Sequence, residues 1–87
     1  MKNIERVLKA LANKRRLAII KYLKKEKQAT VGDIAEHINL SFKATSKHLG
    51  VLSGADIVDK QQQSLQMWYK LSPSAHHISK YVSNSLE

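Results

Sequence analysis

Between Glu36 and Asp56 the chain carries no carboxylate, and inside that gap Lys43, Ser46 and Lys47 stand at a spacing of three and four residues. On a helix, that spacing brings all three side chains to one face. The chemistry on offer is that of a duplex reader. A lysine donates to guanine edges or to phosphates, a serine bonds either, and the neighbouring Ala44 is small enough to touch a thymine methyl. A second polar group follows, Lys60 with Gln61, Gln62, Gln63 and Ser64. Such a basic, amide-bearing tip can reach phosphates or a minor groove, contacts that hold a protein in place more than they read sequence. The same residues would also suit an ordinary solvated helix face and an ordinary exposed turn.

Other chemistries lack their residues. With no cysteine there is no disulfide, thiolate metal site or cysteine nucleophile. Three glycines leave little for a phosphate-cradling loop, and no paired carboxylates or nucleophile–base set occurs, so neither catalysis nor a cofactor is expected.

The elements that must position the lysines are legible from apolar periodicity. Ile4, Val7, Leu8 and Leu11 predict a helix over 3–12. Asn13 can cap a second, over 14–26, that buries Leu17, Ile19, Ile20 and Leu23, turns Lys14, Lys21 and Lys25 outward, and sets Arg16 on the buried side. Thr30 followed by Asp33 resembles a capping box and opens a third helix over 31–38, with Val31, Ile34, Ala35 and Ile38 inward. After the break Asn39-Leu40-Ser41, with Ser41 as cap, a fourth helix over about 42–53 buries Thr45, His48, Leu49 and Leu52. That arrangement points Lys43 and Lys47 away from the core. Ile57–Gln61 and Leu65–Leu71 read as the two strands of a hairpin, Leu65, Met67, Tyr69 and Leu71 alternating with polar residues and Trp68. Ser72-Pro73 offers a cap and a first helical position for a last helix, whose apolar stripe is Ile78, Tyr81, Val82 and Leu86.

The fold expected is mainly α with a small β-hairpin, a winged helix-turn-helix ordered helix–helix–helix–helix–strand–strand–helix. It forms one domain over 1–87, with the helix-turn-helix at about 31–53, the wing at about 57–71 and flanking helices at about 3–12 and 73–86. Eighty-seven residues suit one domain with a limited core. Fifteen basic residues against seven acidic favour a polyanionic partner. The excess is uneven, ten Lys/Arg against two Glu in residues 1–27 and five of each sign in residues 28–87. No apolar run can span a bilayer and the N-terminus lacks a signal-peptide core, so the expected location is the cytoplasm.

The segments LKALANKRRLAIIKYL and TVGDIAEHINLSFKATSKHLGVLSGADIV, with the hairpin ending MWYKL, resemble the ArsR-type winged-helix repressors over residues 7–71. The run Ser46-Lys47-His48-Leu49 with Leu52 is the most specific piece. The resemblance implies a homodimer built from the first and last helices, and repression at an operator with inverted half-sites in double-stranded DNA. It places the reading positions on Phe42, Lys43, Ser46 and Lys47, and the wing on Gln61–Ser64. With Ser41, Ala44 and Lys60 these make the expected DNA-contacting set.

Where metal-sensing members carry Cys-x-Cys-Asp, this chain reads Thr30-Val31-Gly32-Asp33, so soft metal ions have no ligands there. His76 and Glu87, about 16 Å apart along a helix, could meet only across a dimer, and no metal site is expected. Asp56 and Ser64 stand where family glycines are usual. His48 and Trp68 are expected to pack rather than to contact bases. A protein-binding adaptor that never reads DNA is the alternative from a different class.

Overall fold

The computed structural model describes residues 3–86. Asn3 and Asn13 start the first two helices by one device, each side chain accepting from backbone N–H groups that a first turn leaves unpaired. Helix α1 spans Ile4–Leu11 and α2 spans Lys14–Glu26. α1 buries Val7, Ala10 and Leu11; Ile4 and Leu8, expected on the inner stripe, are 43% and 50% exposed.

A strand that the sequence did not reveal comes next, β1 (Ala29–Thr30). Two residues cannot display alternation; the strand exists because Ala29 and Thr30 pair with Tyr69 and Trp68 far along the chain. Thr30 also opens α3 (Val31–Ile38) through a complete capping box with Asp33. The turn after α3 is closed by two bonds, from the Asn39 N–H to the Glu36 carbonyl (3.3 Å) and from the Leu40 N–H to the Ala35 carbonyl (3.0 Å). Asn39 takes φ 55° to make them, the left-handed geometry of a Schellman motif. α4 (Phe42–Gly54) ends the same way, with Asp56 at φ 58° and Ile57 N–H on the Leu52 carbonyl. Asp56 therefore supplies the left-handed residue that closes the end of α4.

The hairpin consists of β2 (Val58–Gln63) and β3 (Gln66–Leu71), antiparallel, in a three-stranded sheet ordered β1-β3-β2. Both boundaries differ from the expected 57–61 and 65–71. Gln62 and Gln63 belong to the strand and the turn is Ser64-Leu65, with Ser64 at φ 57°, the positive φ that tight two-residue hairpin turns use. This shift puts Leu65 at the tip, 97% exposed, instead of on the inner face. Met67, Trp68 and Tyr69 are all half-buried, so alternation fades along β3, on which α2 and α3 pack.

The last helix also needs correction. α5 is His77–Ser85, and Ser72–Ala75 forms a turn held by Ala75 N–H on the Ser72 carbonyl and Ser74 N–H on Ser72 Oγ. The cap is His76, whose Nδ1 accepts from Ile78 N–H at 3.0 Å. Its most buried residues are Ser79 and Ser83, while Ile78, Val82 and Leu86 are half-buried and Tyr81 is 74% exposed. Ile78, Val82 and Leu86 still pack against the core as the stripe predicts, and Tyr81 alone of that stripe faces outward. The suggested His76–Glu87 pairing involves Glu87, which lies outside the described residues.

α2 is the centre of the fold, packing on α1, α3, α4, α5 and β3. Ile19 and Ile20 from α2, Ile34 from α3 and Leu49 and Leu52 from α4 are wholly buried, each worth about 1.5–3 kcal/mol relative to exposure. One polar atom joins them without compensation: Thr45 Oγ1 is buried and has no hydrogen-bond partner among the described residues. Thr45→Val removes that hydroxyl at nearly constant shape and is expected to raise unfolding free energy by about 1 kcal/mol, measured by urea titration.

Candidate nucleic-acid interface

α4 is presented by its cap and by what lies beneath it. Ser41 Oγ accepts from Ala44 N–H at 3.1 Å, which fixes where the first turn starts. Thr45, Leu49 and Leu52 then face inward against α1, α2, α3 and β2. Helical rotation leaves Lys43 and Lys47 fully outside and Ala44 and Ser46 half-buried at the edges of the same face. No acidic residue sits in the first turn, so the positive end of the helix dipole is not offset there.

The other expected contact residues lie on β2, which packs on α4, and on its turn. Lys60, Gln61, Gln62, Gln63 and Ser64 are exposed along β2 and its turn. Gln62 is partly committed, its Nε2 donating to the Ser64 carbonyl at 3.2 Å. Phe42, 64% exposed, and Leu65 line one cleft with Val31 and Met67, between the start of α4 and the hairpin tip. Leu65 was not anticipated as part of this surface; only the two-residue turn brings it there. Trp68, half-buried in the central strand, sits in register with Thr30 on one side and Gln61 on the other.

Among the described residues the only ion pair joins Lys9 to Glu5, within α1. Lys43, Lys47 and Lys60 thus form no ion pair among the described residues. Such a face attracts polyanions and repels other cations.

Two arginines moor the helix from behind. Arg6 Nη1 donates to the Gly54 carbonyl at 3.2 Å, tying α1 to the last turn of α4. Arg16 does more: Nε reaches the Ala10 carbonyl (2.6 Å), Nη2 the Lys9 carbonyl (3.1 Å) and Nη1 the Nδ1 of His48 (3.3 Å). A guanidinium only donates, so His48 Nδ1 must accept, and the ring is neutral with its proton on Nε2. Burial, then the charges of Arg16 and Arg15, hold the His48 pKa below its usual 6.5. The sequence had placed Arg16 on the inner side and His48 on the packed stripe. Their pairing across 32 residues left no local signal.

The family-model comparison matches residues 13–60 to the arsR family of bacterial regulatory proteins. The chain belongs to that family. It is 35% identical over 66 residues to the transcriptional repressor SdpR of Bacillus subtilis, covering 76% of this chain and 72% of that one. Of two further curated relatives it spans 55% and 60% of the length. Among solved structures, HlyU from Vibrio cholerae superposes with a TM-score of 0.81 at 28% identity, over 94% of this chain and 86% of that one. A homodimeric winged helix-turn-helix DNA-binding domain from Mycobacterium bovis shares the fold, with a TM-score of 0.82 at 24% identity, over 94% and 73%. The fold is the winged helix-turn-helix, and the chain is a transcriptional regulator with a DNA-binding architecture.

The Arg16–His48 contact makes the mooring of α4 pH-dependent. Because the folded-state pKa is lowered, the unfolded chain takes up the proton first as pH falls. The contribution is therefore complete above pH 6.5 and lost as pH drops through the lower folded value. His48→Gln keeps an acceptor and removes the titration. Thermal unfolding followed from pH 7.5 downward is expected to fall more steeply for wild type than for this variant over the range just below 6.5.

Proposed function

We propose that two copies of this chain associate through α1 and α5 and repress transcription in the cytoplasm by setting the two α4 helices into successive major grooves of an inverted-repeat operator. The carrying observation is the face of α4, where Lys43 and Lys47 project without a neutralising carboxylate beside small Ala44 and Ser46. Lysine and serine supply donors to base edges and phosphates, and Phe42 and Ala44 supply apolar contact for thymine methyls. Ser41 lies at the helix start, next to the phosphate-facing N-terminus. Lys60, Gln61, Gln62, Gln63 and Ser64 flank it as a wing, where a backbone or minor-groove contact holds register.

The dimensions of one subunit support twofold assembly. One subunit measures 33 × 24 × 21 Å and carries one such helix, whereas half-sites lie about 34–36 Å apart. The surface suited to bringing two together is apolar: Ile4 and Leu8 on α1 and Tyr81 on α5 are exposed, and α1 packs on α5. The homodimeric state of the Mycobacterium bovis domain supports this reading, as the name of the Bacillus repressor supports repression.

Lys43→Ala and Lys47→Ala are each expected to weaken retardation of a selected duplex and to lower the salt slope of log K by about 1, with circular dichroism unchanged. Binding equal to wild type in both variants would remove α4 as the reading helix. Leu8→Glu, with Tyr81→Glu as a second variant, is expected to convert the dimer to monomer in sedimentation equilibrium and to abolish cooperative occupancy of paired half-sites. A wild-type chain that sediments as a monomer at every concentration would refute the assembly.

A further inference from the structure

The inner face of α5 carries hydroxyls where a packing helix ordinarily carries hydrocarbon. Ser79 and Ser83 are 3% and 8% exposed, and Ser72 just before the helix is 4% exposed. Between α5, α2 and the foot of the hairpin lies a cavity of about 240 Å³. Its floor is Ile20, Ile57 and Leu71, and Lys24 and Lys80 stand at its rim. Lys24 reaches across to α5: its Nζ donates to the Ser83 carbonyl (3.3 Å) and to Asn84 Oδ1 (2.9 Å). Both acceptors are neutral, and an ammonium has three donors, so a donor and a full charge remain. No carboxylate among the described residues pairs with it.

We infer that this cavity binds a small monocarboxylate with an apolar tail, its carboxylate on Lys24 and its tail on Ile20, Ile57 and Leu71. Size sets the class, since an apolar cavity of about 150 Å³ already accepts benzene, so this one holds an aromatic ring or a short branched chain together with its acid group. Charge sets the sign, because two ammonium groups at the rim exclude amines. The floor excludes a peptide segment, whose backbone N–H and C=O groups would be left unpaired against isoleucine and leucine. A dianionic phosphate would likewise be stranded on hydrocarbon. An occupant here wedges between α2 and α5, and so bears on how α5 is held. If α5 joins two subunits, as proposed above, the ligand changes the separation of the two α4 helices. That consequence rests on the dimer reading; the binding itself does not.

The test is a nitrogen-15 NMR titration of the full chain with phenylacetate, against its neutral isostere phenylacetamide and the cation phenethylamine. Phenylacetate is expected to shift the amide signals of Ile20, Ile57, Leu71, Ser79 and Ser83 saturably, with phenylacetamide at least about tenfold weaker and phenethylamine inert. Lys24→Gln, which keeps a neutral donor to Ser83 and Asn84, is expected to reduce phenylacetate binding to the level of the amide. Ala75→Leu, which fills the cavity from its lining, is expected to abolish it while the remaining spectrum stays folded. No saturable shift at these residues, equal binding of acid and amide, or shifts confined to the lysines of α4 and the hairpin would each overturn the site. Duplex retardation is then measured with the cavity saturated. Altered affinity in wild type and not in Ala75→Leu supports the regulatory consequence, and unaltered affinity overturns that consequence alone. A chain that retards no duplex at all refutes the DNA reading without touching the NMR result.

Discussion

The guanidinium of Arg16 is the contact on which the placement of α4 depends. It closes two carbonyls at the end of α1 and holds His48 in the middle of α4, so one side chain joins three helices. Carbonyls at a helix end have no partner of their own within the helix, and a charged donor is the strongest available way to satisfy them. Replacing Arg16 with lysine would not preserve this, because an ammonium lacks the planar fork that reaches all three acceptors. With Arg6 of α1 on the Gly54 carbonyl and Arg16 of α2 on His48, α4 is held at two points about one and two-thirds turns apart.

The helix-turn-helix was legible because its signals are local. Thr30 and Asp33, Asn39, and Ser41 each act within four residues of themselves, and the apolar stripes of α2, α3 and α4 follow one period. The same locality explains the failures. β1 is created by its partner Tyr69–Trp68 and leaves almost no trace in Ala29-Thr30. Ser72-Pro73 has the residues of a helix start, yet Ser72 Oγ is drawn to Ser74 and the helix waits for the imidazole of His76. Leu65 fits an inward alternation until the turn is shortened to two residues.

The candidate site divides along the same line. Residue type and helical phase were enough to place Lys43 and Lys47 outward, since a helix with one buried stripe has only one opposite side. What made the face rigid came from Arg6 and Arg16, whose partners are 48 and 32 residues away. Nothing in spacing alone marks such pairs. The serine-lined side of α5 was likewise hidden, because serines on a helix count as polar until the neighbouring elements close over them.

The capping box at the start of α3 carries a further meaning. The family resemblance sets Thr30, Gly32 and Asp33 against the Cys-x-Cys-Asp of metal-sensing members, a pattern from which this chain departs. Here the Thr30 hydroxyl and the Asp33 carboxylate are spent on each other's backbone N–H groups, at 3.2 and 3.4 Å. Restoring a cysteine at Thr30 would exchange a hydroxyl cap for a thiol, a poorer acceptor, at the root of the helix-turn-helix. Sensing and architecture compete for the same two side chains, and in this regulator architecture holds them. A variant given thiolates at Thr30 and Gly32 would need another way to begin α3.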